Sequence, residues 1–146
     1  MSFSRASFLK TLPDVVVPQL PLPLRSIKVR QPWNWLIQLY YGDPLLHYEV
    51  VGALHRPGLE LGLHFESRDQ ALNRHLLNGF RRHLFEIRDA LGESIEAEMW
   101  DKGWTKVYEV YPEKELTADY QAEVGGRLAQ IITCLQPILG SVIGNW

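Results

Sequence analysis

Two histidines and two glutamates recur in one short pattern, His47-Tyr48-Glu49 and His64-Phe65-Glu66. Residues two apart on a strand share a face, so each triplet sets an imidazole beside a carboxylate. If the triplets lie on paired strands, the four groups gather within about 5–8 Å. Imidazole nitrogen and carboxylate oxygen both ligate zinc or manganese, so a divalent metal is the cofactor such a set would take. Register decides the neighbours. A four-residue loop places His47 opposite Glu66 and Glu49 opposite His64; a two-residue turn at Pro57-Gly58 places Glu49 opposite Glu66, a like-charge pair that invites a cation. A solvated, ion-paired sheet face accounts for the same residues with no cofactor at all, and exposed pairs contribute little to stability.

A second group is aromatic. A three-residue loop, Asp101-Lys102-Gly103, sets Trp100 opposite Trp104, Glu98 opposite Lys106 and Glu96 opposite Tyr108. Two tryptophans on an outward face carry apolar area of the kind found at interfaces, unless an N-terminal segment covers them. Trp33, Tyr40 and Tyr41 add a further aromatic stretch. Arg74, Arg81, Arg82 and Arg88 form a basic stripe on one helix, but Glu86 and Asp89 interrupt it and no stacking aromatics accompany it. His75 and His83 lack HExxH spacing. Dinucleotide, phosphate-loop and serine-hydrolase motifs are absent. No lysine follows an acidic residue by two positions, as a restriction-type nuclease strand requires. Cys134 falls on an apolar helix face, where a thiol is inert packing.

The elements that position these groups follow from periodicity. Residues 1–32 hold five of the nine prolines (Pro13, Pro18, Pro21, Pro23 and Pro32), which predicts an extended Pro-rich arm docked on a body spanning 33–146. Trp33, Leu36, Ile37 and Tyr40 fall at helical spacing after Pro32, predicting a short helix ended by Gly42 and Pro44. From Leu46 to Glu66 the period becomes two, predicting a hairpin. Its apolar face holds Leu46, Tyr48, Val50, Leu54, Leu59, Leu61, Leu63 and Phe65; its polar face holds His47, Glu49, Glu60, His64 and Glu66. A capping box at Ser67 and Gln70 opens one long helix that Gly92 ends. A second hairpin follows, then a helix capped by Thr117 and stopped near Pro137. The expected fold is α+β: a two-layer sandwich in the order α-ββα-ββα, its four-stranded antiparallel sheet covered by helices on one face. The other face is left polar.

The chain has 146 residues, 46% apolar and 22% charged, the size and composition of one globular domain. One cysteine excludes an internal disulfide framework or zinc knuckle. Fifteen basic against seventeen acidic residues give a net charge of −2, which argues against nucleic acid as a partner. No apolar run approaches the roughly 20 residues of a membrane span, and Pro13, Asp14 and Pro18 interrupt any signal-peptide core, so no membrane partner and a cytoplasmic location are expected.

The stretch from Leu59 to Tyr111, through Ile87, Leu91, Gly92, Glu98 and Trp100, resembles an uncharacterised bacterial α+β domain family often sited beside nuclease-like or defence modules. These are packing and turn residues, and the resemblance implies no catalytic residue. The element order also looks like that of small dimeric secretion chaperones, a likeness of fold alone.

The leading expectation is therefore a non-catalytic bacterial domain that forms a homodimer and binds a protein partner. Trp33, Tyr40, Tyr41, Trp100, Trp104, Lys106 and Tyr108 would make that contact, and no cofactor is needed. The alternative is a divalent-metal-dependent, nuclease-like hydrolase. There Glu49, Glu66 and Glu98 with His47 and His64 hold the metal, and Lys106 stabilises developing negative charge.

Overall fold

The computed structural model describes residues 2–52 and 57–146; Leu54, expected on the apolar strand face, lies outside them. The N-terminal segment is a helix rather than an extended arm. α1, Arg5–Val16, begins at Ser4, whose hydroxyl accepts from the Ser7 N–H, and it carries Pro13 in its interior. Phe8, Leu9, Leu12 and Val16 are fully buried on one side, which is the helical spacing the proline count obscured. Two 3-10 turns, Val17–Gln19 and Leu22–Leu24, take up Pro18 and Pro23 in their first turns, where the missing N–H costs little.

Four strands follow in succession: β1, Lys28–Trp33; β2, Leu36–Tyr40; β3, Leu46–Gly52; and β4, Leu59–Phe65. Then come α2, Gln70–Arg82, and α3, Leu84–Leu91. β5, Glu96–Met99, and β6, Thr105–Tyr111, form the second hairpin, and α4, Ala118–Gly144, closes the chain. All six strands form one antiparallel sheet in the order β1-β2-β3-β4-β6-β5. The expected four-stranded sheet is thus incomplete, because the end of the expected arm supplies β1 and the segment taken as a helix after Pro32 supplies β2. Ile37 and Leu39 point into the core while Gln38 lies on the opposite face, so pairing with β3 selects period two over the helical spacing of Trp33, Leu36, Ile37 and Tyr40. Pro32 is tolerated because β1 is an edge strand whose register shifts between Arg30 and Trp33.

Tyr48, Val50, Leu61, Leu63, Phe65 and Val107 build the apolar face, over which Phe80 of α2 and Leu128 and Ile132 of α4 are also buried. α1 approaches α4 closely: a Cβ on Gly125 would stand 2.7 Å from Val15 Cγ1, so this glycine is the contact point of two helices rather than merely a weak place in one. Thr117 caps α4 as its sequence predicts, but the helix runs through Pro137 to Gly144. With 27 residues, α4 is long and apolar enough to cross a membrane by length and composition, which corrects the expectation that no such run exists; here Val124, Leu128, Ile131, Ile132 and Leu135 are core residues. The long helix expected after Ser67 is two, parted at His83, and Asp69 rather than Ser67 caps the first. Gly92 ends the second with φ +101°, a conformation for which glycine is favoured.

Candidate metal centre

The polar face is where the four predicted ligands meet. In the first hairpin His47 pairs with His64, and Gly52 with Leu59, so neither expected register holds: the connection is longer than both, and the strands are slipped by two residues. A slip of two keeps every side chain on its face. The imidazoles therefore stand side by side with ring centroids 5.8 Å apart, each flanked along its strand by its own glutamate. One nitrogen or oxygen from each of His47, Glu49, His64 and Glu66 lies within 4.8 Å of all the others.

Both imidazoles reach both carboxylates, each through a different carboxylate oxygen. His47 Nε2 is 3.1 Å from Glu49 and 3.7 Å from Glu66, while His64 Nδ1 is 3.7 Å from Glu49 and 3.0 Å from Glu66. A tetrahedral ion with bonds of about 2.1 Å needs ligand atoms about 3.4 Å apart. Each imidazole is also anchored by its other nitrogen. His47 Nδ1 donates to the Pro44 carbonyl at 2.8 Å, and His64 Nε2 donates to Glu60 at 2.8 Å. Outer carbonyl and carboxylate partners of this kind fix the tautomer of a metal-binding histidine and aim the remaining nitrogen.

The face is enclosed by its own side chains. His47 is 0% and His64 2% exposed, Glu49 and Glu60 are buried, and only Glu66 is half-buried. Trp100 lies edge-on to His64 with ring centroids 5.8 Å apart. Burial by itself disfavours a charged His64, yet hydrogen bonds to Glu60 and Glu66 and the charges of Glu49 and Glu60 prevail and push its pKa up to about 9. Burial likewise acts to raise the carboxyls of Glu49 and Glu60, but their imidazole partners, with Gln38 at Glu49 and Lys106 at Glu60, hold both below the ordinary carboxylate value. Two imidazoles and three carboxylates thus converge beside Lys106 on one buried patch, and a divalent cation there would offset the carboxylate charge.

Two members of the network were not in the predicted ligand set. Glu60 lies on the expected polar face, and the signal for its role is Gly62 between it and His64. Gln38 was hidden inside the supposed helix; its amide nitrogen reaches His47 Nε2 at 3.1 Å and Glu49 Oε1 at 3.2 Å.

The residues expected to bind a partner divide. Trp33 and Trp35 are 58% and 52% exposed and stack at 5.6 Å. Tyr40 and Tyr41 are half-buried, and the Tyr41 hydroxyl donates to the Leu24 carbonyl at 2.6 Å. The second hairpin keeps its expected register, with Glu98 opposite Lys106 and Glu96 opposite Tyr108. Trp100 packs against Trp104 with ring centroids 5.5 Å apart. Lys106 is held at 2.8 Å by Glu60 and lies over the Trp100 and Tyr108 rings, while the Tyr108 hydroxyl donates to Glu98 at 2.6 Å. In the arginine stripe, Arg81 and Arg88 donate to the backbone carbonyls of Ala97 and Ile95, so two of its four charges serve the β5 edge. Burial raises the Cys134 thiol pKa, in keeping with a packing role.

Set against protein-family models, curated proteins and solved structures, the chain matches none. These comparisons bear on the bacterial family resemblance in neither direction.

Proposed function

We propose that the protein binds one divalent transition-metal ion, zinc before manganese, through His47, Glu49, His64 and Glu66, and that it does so without catalysing hydrolysis. The observation that carries this reading is the pair of anchored imidazoles, each with its second nitrogen directed at the same two carboxylates. Two imidazole nitrogens and two carboxylates, with one atom of each within 4.8 Å of the others, form a donor set that suits zinc. Four protein ligands in a buried cluster leave no place for a reactive water, which an open catalytic site keeps. Lys106, the group expected to meet developing negative charge, is engaged by Glu60. A purely structural role fits poorly too, because β3 and β4 are already paired along seven residues each. Holding or sensing the ion is the better use of this site.

Titration with zinc or manganese under a thermal-shift readout tests the reading. At 100 times its dissociation constant an ion that binds only the native state adds about 2.7 kcal/mol, and His47→Ala with Glu66→Ala should abolish the shift. An unchanged melting temperature in excess of either metal would refute it.

A second reading, a protein partner or a second copy of the chain on the turn between β1 and β2, is favoured by the exposed Trp33–Trp35 stack there. Large rigid aromatics are enriched at interface hot spots. Light scattering of the wild-type chain and of Trp33→Ser/Trp35→Ser addresses the dimer; a monomer at high micromolar concentration would remove it.

A further inference from the structure

Gln38 lies opposite Glu49 in the β2–β3 ladder. Its amide nitrogen is 3.1 Å from His47 Nε2 and 3.2 Å from Glu49 Oε1, and those two atoms are themselves 3.1 Å apart. The three atoms form a nearly equilateral triangle, so the amide nitrogen sees both acceptors within roughly 60°, too narrow for its two diverging N–H bonds to serve one each. One N–H is therefore shared between an imidazole lone pair and a carboxylate oxygen. A positive dipole end placed where two ligand atoms converge takes the part of a cation.

The amide is not free to turn. Its Oε1 accepts from Arg30 Nε at 2.5 Å. Arg30 also donates to the Pro44 carbonyl at 3.3 Å, the same oxygen that receives the His47 Nδ1 proton. Flipping the amide would aim its N–H at the guanidinium, two donors face to face. Arg30 thus keeps the donating end of Gln38 directed at His47 and Glu49.

We propose that Gln38, locked by Arg30, is the gate of the metal centre: its N–H occupies the ligand sphere of the metal-free protein and must withdraw before a zinc-class cation binds between His47 and Glu49. The inference rests on the metal reading above. Gln38 opposes loading in two ways. Its N–H dipole presents its positive end to an incoming cation, and it satisfies two buried acceptors that would otherwise destabilise the empty site. Gln38 is a positioning residue, not a ligand.

The test is zinc affinity of the full chain, measured by competition with a chromophoric chelator, for wild type, Gln38→Leu and Arg30→Leu. Each substitution should tighten zinc binding about tenfold, the equivalent of one hydrogen bond relieved. Gln38→Leu should also melt lower than wild type in chelator and recover with zinc, which a merely structural role would not produce. Should Gln38→Leu fail to fold, Arg30→Leu decides alone, since Arg30 is exposed on the edge strand. Wild type that binds zinc, with both variants binding it about tenfold more tightly, would uphold the gate. Wild type that binds zinc, with both variants equal or weaker, would overturn the gate and leave the metal centre standing. No binding by any of the three chains would overturn both.

Discussion

His64 Nε2 and Glu60 Oε2 meet at 2.8 Å although four residues separate them on one strand. Their α-carbons stand about 13 Å apart at the usual strand rise, and they share a face with Gly62 between them. A side chain at 62 would occupy the space the two bridge. An added Cβ there would stand 2.5 Å from Tyr108 Cβ and 2.6 Å from the Val107 carbonyl oxygen. Gly62 is therefore the opening through which Glu60 fixes the His64 tautomer.

Gly62→Ala should destabilise the protein by about 1–3 kcal/mol, the usual cost of forcing volume into a packed site. It should also part His64 from Glu60 and weaken zinc binding. Denaturant unfolding with and without metal measures both effects; a variant as stable as wild type would show that the strand can shift to admit the methyl group.

The pH dependence of the metal-free protein has a definite sign. His64 has a folded pKa of about 9, above its ordinary 6.5, so the stability it contributes is complete below about 6.5 and is lost as pH rises towards 9. Glu49 and Glu60, held below their ordinary 4.5, contribute stability above that value that is lost as pH falls through their folded pKa values. In chelator, the melting temperature should peak between about 5 and 6.5 and decline on either side. His64→Gln should flatten the alkaline limb; a wild-type curve flat from 6.5 to 9.5 would contradict the charged, buried imidazole.

The ligand set was legible in the sequence because alternation survives an error of register. Slipping the hairpin by two residues changes who faces whom but leaves His47, Glu49, His64 and Glu66 on one face. The second hairpin was legible in full, since Gly103, with φ +78°, fixes its loop. The strands from Lys28 to Tyr40 were not. Trp33, Leu36, Ile37 and Tyr40 satisfy a helical period, and only the neighbouring β3, distant in no local window, makes Ile37 and Leu39 the inward pair. That error hid Gln38, and with it the gate. α1 was lost differently: Phe8, Leu9, Leu12 and Val16 carry the helical stripe, but the prolines around them argued for extended chain, and burial against α4 outweighs the donor lost at Pro13.

Leu12→Ala measures what the N-terminal helix contributes. Leu12 is fully buried in the core and lies 3.6 Å from the Cβ position of Gly125. Truncation should cost about 2–5 kcal/mol, as for other buried leucines. Removing residues 1–24 should expose the α4 face and leave the chain prone to aggregation. A truncated protein that melts with the full chain would show α1 to be dispensable.

One ion pair stands on the wrong side of the sheet for a polar group. Glu109 belongs to β6 with Val107, both buried on the helical side, and its carboxylate accepts from Arg127 Nε at 2.5 Å and from Ser94 at 3.0 Å. Arg127 donates in addition to the Leu91 carbonyl, so one guanidinium of α4 ties the end of α3 to β6. Removing one partner strands a charge in the core, whereas removing both can be nearly neutral if the volume is filled. Arg127→Met should therefore cost about 3 kcal/mol, and Glu109→Gln alone less, because the neutral amide still accepts one hydrogen bond. Glu109→Leu with Arg127→Met should recover most of the loss. Denaturant unfolding of these variants and of Glu109→Leu alone completes the double-mutant cycle. Additive losses in the doubly substituted chain would mean that each side chain acts through its own packing and that the pair is not coupled.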